Sequence, residues 1–218
     1  DCAEPPREVS GLLPPQLEES KGELEVRNTF EGRELRCSAA AKLGQDVWEG
    51  VRSSCGVVSG RWRFKVIVES LGTDWPGSSI AVGWATKASP VYCSADLYCA
   101  DASSALLGAE GWMSAGKELC LDSSLQLCHG SFVLCLLDSK EGVVHFAVKV
   151  NEKPQWKLAK LKLPEKMNGQ DLWPMVRLRH GAAVRVSFTT GTETGEESLL
   201  EQLEDVDSYR DLAQACSV

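Results

Sequence analysis

The residues that could do chemistry in this chain are few, and their spacing does not assemble a known catalytic site. Gly56-Val57-Val58-Ser59-Gly60 comes near the Gly-x-Ser-x-Gly nucleophile elbow, but the first glycine sits one position too early and a strand pattern follows instead of a helix. There are three histidines, His129, His145 and His180. His145 alternates with Phe146 in a period-two run, which reads as the wet face of a strand and not as a proton relay. No metalloprotease, P-loop or paired-carboxylate pattern of the kind a glycosidase needs is present. The expectation is that the protein is not an enzyme and takes no cofactor.

Nine cysteines could hold metal or form disulfides. No Cys-x-x-Cys pair occurs, and Cys128 and His129, being adjacent, point to opposite faces of any strand, so no metal site is expected. The odd number leaves at least one thiol unpaired within a monomer. Cys135 lies within Phe132–Leu137 and Cys55 precedes Gly56-Val57-Val58, so both read as buried free thiols packing as small hydrophobes. That reading favours a reducing compartment, cytoplasm or nucleus.

The formal net charge is -8, which argues against a phosphate-tracking surface. The densest basic stretch, Lys149 to Lys166, is interrupted by apolar residues and reads as a solvated strand edge and loop. No apolar run is long enough to span a membrane as a helix. The chain opens on Asp1, as expected of a fragment, a processed chain or a trimmed one.

Binding surfaces are anchored by rigid aromatic side chains in exposed loops. Trp62, Trp84 and Trp173 sit in or beside strand patterns and read as core. Trp75, Tyr92, Tyr98, Trp112 and Trp156 lie in or beside irregular connections, and these five form the expected contact surface for a protein or peptide partner. The connection from Lys87 to Glu118 is long, as functional loops tend to be.

The elements that must position these residues are strands. Trp62, Phe64, Val66 and Val68 share one face of Arg61–Glu69, opposite Arg61, Arg63, Lys65 and Glu69. Val144, Phe146, Val148 and Val150 do the same in the next well-patterned segment, and Ala182, Val184, Val186 and Phe188 in the last. Phe132–Leu137 is apolar throughout, which suits a strand buried on both faces. Ser139-Lys140-Glu141-Gly142 and His180-Gly181 read as hairpin turns. One wet and one buried face per strand, with frequent turns, predicts an all-β, antiparallel two-sheet sandwich over residues 23–190. Residues 1–22, rich in Pro and Glu, read as a flexible arm. In 191–218, a capping-box pattern at Thr194–Glu197 precedes Leu199, Leu200, Leu203, Val206, Tyr209 and Leu212 at helical spacing. This predicts an acidic amphipathic helix whose stripe packs on its own or a neighbouring domain, or docks to a partner.

Four blocks in order resemble the SPRY domain family. They are Val51–Gly60 with Arg61–Val66, then Ile80-Ala81-Val82-Gly83-Trp84-Ala85, then Phe132–Asp138 with Gly142–Phe146, and last Leu172–Val176 with Val184–Phe188. The chain departs from the family pattern at Arg63 and Lys65, and Asn151-Glu152-Lys153-Pro154 stands where the family has an Asn-Gly turn. The resemblance implies a bent β-sandwich of concanavalin-like jelly-roll type. It also implies a non-catalytic module that binds a peptide or protein segment through its edge loops, as part of a larger protein. Two other readings stay open: a lectin-like carbohydrate-binding sandwich, and a structural element of a large assembly.

Overall fold

The computed structural model describes residues 24–29, 32–37, 47–72, 79–94, 101–150, 155–188 and 209–211. Fifteen strands run through the described residues: β1 (Leu24–Thr29), β2 (Gly32–Cys37), β3 (Val47–Arg52), β4 (Arg61–Leu71), β5 (Ile80–Ala85), β6 (Tyr92–Ser94), β7 (Ser104–Gly108), β8 (Trp112–Ala115), β9 (Glu118–Leu121), β10 (Phe132–Asp138), β11 (Val143–Lys149), β12 (Lys157–Lys162), β13 (Trp173–Leu178), β14 (Ala182–Ser187) and β15 (Arg210–Asp211). The only helical pieces among the described residues are two single 3-10 turns, Ser123–Leu125 and Glu165–Met167. No described helix is long and apolar enough to cross a membrane.

The strands form two sheets. One runs β1-β2-β14-β4-β10-β11-β12, with β15 set parallel beside β4; the other runs β6-β3-β13-β5-β7-β8-β9. All other pairings between strands are antiparallel. This is the sandwich that the period-two patterns predict. Trp62, Phe64, Val66 and Val68 of β4 face Val82, Trp84 and Leu107 of the other sheet across one continuous core. Phe64 meets the edge of Trp84 with ring centroids 5.2 Å apart. β10 is buried on both faces: Val133, Cys135 and Leu137 enter the core, while Leu134 and Leu136 pack on the outer side.

The turns follow the expected chemistry. His180 and Gly181 both have positive φ, the requirement of a two-residue type I′ hairpin, and they join β13 to β14. At the β10–β11 turn the Asp138 carboxylate accepts from the backbone N–H groups of Lys140 and Glu141, and Gly142 takes φ 63°.

The structure corrects three expectations. The stretch from Lys87 to Glu118 is not one long irregular loop, because it holds β6, β7 and β8. Tyr209–Asp211 is extended and pairs with Trp62 and Arg63 of β4, so a helix does not continue through these residues. The rest of the expected helix, its capping box and the N-terminal arm lie outside the described residues. Cys55 is disulfide-bonded, as is Cys93, so Cys55 is not a free thiol. Cys135 is free and fully buried, as expected, and its burial pushes the thiol pKa well up.

Candidate functional site

At one end of the sandwich six connections meet: 53–60, 86–91, 101–103, 116–117, 139–142 and 163–172. Specific bonds tie each to its neighbours. The Ser139 backbone N–H and hydroxyl both donate to the Gly60 carbonyl, at 3.1 and 3.0 Å. Val57 and Leu172 exchange two backbone bonds of 2.8 Å. The Leu163 N–H reaches the Gly142 carbonyl, the Gly116 N–H reaches Ser104, and the Thr86 N–H reaches Ser103. Arg52, at the end of β3, donates to the carbonyls of Thr86 and Lys87 and so holds the 86–91 connection against the sheet.

Two features make this end a rigid platform. Gly56 leaves room for the Trp173 ring, because a Cβ there would collide with it, so the half-buried indole lies flush against the 53–60 loop. Behind the 86–91 and 101–103 segments lies a buried ion pair. The Arg177 guanidinium, with no exposed side chain, donates to Asp101 at 2.9 Å, to the Ser89 hydroxyl at 2.7 Å and to the Pro90 carbonyl at 2.6 Å. Burial alone would raise the Asp101 carboxyl; the charge and hydrogen bond of Arg177, with the bonds from Ser89 and the Ser103 N–H, together outweigh it and hold the pKa below the usual carboxylate range. For Arg177 the balance differs: burial lowers its pKa, and Asp101 only partly offsets that.

The surface of this end is mixed. Val58 is 59% exposed at the tip of the 53–60 loop, beside exposed Ser59, and Lys87 and Pro90 are exposed on the next connection. Between the β8–β9 turn and the 163–166 segment opens a cleft of about 470 Å³ whose floor includes Ala115 and Leu163 and whose rim carries Lys117, Lys162 and Lys166 with Glu118 and Glu165. Apolar patches with charged rims suit a protein or peptide ligand. Among the described residues no group of three metal-ligating side chains converges. His145 lies on the outer face of the first sheet between Leu136 and Lys160. Burial, then the Lys160 charge, lowers its pKa.

Of the five aromatics singled out from sequence, Tyr92, Trp112 and Trp156 fall among the described residues, and these three lie on different surfaces of the sandwich. Trp112 is fully buried on the outer face of the second sheet with Trp48, Leu106 and Met175, its ring seated against Gly108, where a Cβ would overlap it. Trp156 is buried with Leu134, Leu136, Ala147 and Tyr209. Tyr92, 37% exposed, stands on β6 opposite Glu49. Trp75 and Tyr98 lie outside the described residues. What the structure brings together is the Trp173 ring and Gly56, two residues before the exposed Val58. The Gly56–Trp173 contact joins residues too far apart in sequence for any local pattern to pair them.

No family model and no curated protein matches the chain. Solved structures do. The chain is similar to the SPRY domain of human HERC1, with a TM-score of 0.53 and 16% identity, covering 76% of this chain and 94% of that one. It is similar to the PSpry domain of TRIM65, with a TM-score of 0.57 and 14% identity, over 80% of this chain and 92% of that one. It also matches the stonustoxin structure, with a TM-score of 0.53 and 13% identity, over 80% of this chain but 27% of that larger chain. Identities this low establish architecture and leave ligands open. The two antiparallel sheets, their single core and these likenesses together give the chain a SPRY-like β-sandwich fold.

Proposed function

We propose that the chain is a non-catalytic protein-interaction module that captures a peptide or protein segment on the loop end of its sandwich, as part of a larger protein. One observation carries the reading. Six connections of the described residues are locked together at one end, backed by a buried ion pair, and they present exposed Val58 and the half-buried Trp173 ring lying against Gly56. A preorganised surface of this kind loses little entropy on binding. The likeness to SPRY domains supports the fold that presents these loops.

The test is affinity capture from lysate with the whole chain, beside a V58E/K87E variant. Both side chains are exposed, so the variant keeps the fold. Proteins captured by the parent and lost by the variant support the reading. Identical captures from both remove the loop end as the contact surface.

A further inference from the structure

Among the described residues β9 ends its sheet, paired with β8 alone, and all four of its residues are exposed. Sheet edges normally defend themselves with lysines, proline or a bulge, because their free N–H and C=O groups would pair with any passing strand. β12, the edge of the other sheet on this flank, follows that habit with Lys157, Lys160 and Lys162. β9 does not: after Glu118 it reads Leu119-Cys120-Leu121, with the leucines 45% and 72% exposed. Leu119 lies opposite Ser114 and Leu121 opposite Trp112, so both leucines extend the apolar outer face that Trp112 and Leu106 belong to. At the start of the strand opens the cleft rimmed by Lys117, Lys162 and Lys166, three lysines against Glu118 and Glu165.

We propose that β9 is a strand-addition site for an extended peptide of alternating apolar residues that ends in acidic ones. The inference rests on the protein-interaction reading for its class of ligand and names a second surface and a mode. Antiparallel pairing, the stronger ladder, sets the peptide's C-terminal end beside Glu118 and the cleft, where the lysines receive its carboxylates. Its alternate side chains cover Leu119 and Leu121. A second copy of this chain fits the edge poorly. The two-fold register that sets leucine against leucine at both positions, Leu119 opposite Leu121, sets Glu118 opposite Asp122 of the other copy, and like charges directly across a ladder repel.

A four-residue edge buries far less than the roughly 1,200 Å² of a stable interface, so the complex is weak and suits titration by NMR. The whole chain, labelled with nitrogen-15, is titrated with a synthetic peptide alternating threonine with valine and ending in glutamates. The control is the same peptide ending in lysines. Amide shifts at 117–121 and 162–166 are expected, absent in L121K and weakened roughly fivefold in K162Q/K166Q, the effect of two exposed ion pairs. Leu121 is mostly exposed, so L121K keeps its remaining spectrum. Three results overturn the proposal. Shifts confined to 53–60 and 86–91 would place the peptide on the loop end and leave the interaction reading standing. No shifts at millimolar peptide would remove the edge as a site. β9 shifts that grow with protein concentration alone would assign the edge to self-association.

Discussion

Arg177 and Asp101 show how much one buried contact decides. Removing the partner of a buried charge costs more than forming the pair gains, because the orphaned ion stays desolvated. D101A is therefore expected to lower unfolding stability by about 3 kcal/mol, read from urea melts. The acid limb carries the same pair. The folded pKa of Asp101 lies below its unfolded value, so its stabilisation is present above the unfolded pKa and fades as pH falls through the folded one. D101N should remove part of that slope; Asp138, lowered in the same direction, supplies another part. His145 acts at milder pH. Its folded pKa is depressed, so the unfolded chain protonates first, and stability falls as pH drops below about 6.5. H145Q should flatten the melt midpoint between about pH 6.5 and the folded value. Residue type alone misleads at this scale. Trp112 looks like a loop anchor until Gly108, on the neighbouring strand, is seen to make room for its ring. G108A is expected to destabilise by at least 2 kcal/mol, because the indole has nowhere to move in a packed layer.

Among elements, β15 is the least anticipated. Two residues pair with β4 alongside Trp62 and Arg63, on the edge that β14 leaves open beyond Lys65. Tyr209 just before it drops onto Leu134, Leu136, Ala147 and Trp156, with the Arg61 guanidinium 5.7 Å from its ring centroid. Burial, then the Asp138 charge, pushes the Tyr209 hydroxyl up to about 12. A group raised in the fold stabilises fully below its unfolded pKa and loses that contribution as pH rises through the folded one. Alkaline melts should therefore show stability falling between about pH 10 and 12, and Y209F should abolish that fall. Y209A and W156A should each cost about 2 kcal/mol or more and combine non-additively, since the two side chains share one cluster. The strands of the core were legible because period two survives wherever one face is buried, as in β4, β11 and β14. β7, with the small residues Ser104, Ala105 and Gly108 and burial on both faces, has no alternation to read. The helical stripe of the tail misleads at Tyr209, whose position is set by a β-sheet distant in sequence.

For the whole molecule, the fold was readable from four separated blocks because each supplies core positions that only one sandwich satisfies together. The proposed surface was not, because it is defined by which loops share an end, and that depends on strand order: β3, β13 and β5 lie side by side in space and not in sequence. The cysteines bear on where the molecule works. Buried free Cys135 suits a reducing compartment, but Cys55 and Cys93 are disulfide-bonded, and structural disulfides persist where the surroundings oxidise. The two chemistries separate in one experiment on protein taken from its native source and quenched in acid. Denatured without reductant, the chain should be alkylated at Cys120, Cys128 and Cys135 and left unmodified at Cys55 and Cys93, which should label only after reduction. That pattern would assign the domain to an oxidising compartment and direct the search for its partner to proteins found there. Labelling of Cys55 and Cys93 before reduction would return the domain to the cytoplasm or nucleus, with the 53–60 loop held in place by its backbone bonds to Leu172 and Pro174, by Ser139 on the Gly60 carbonyl and by Trp173.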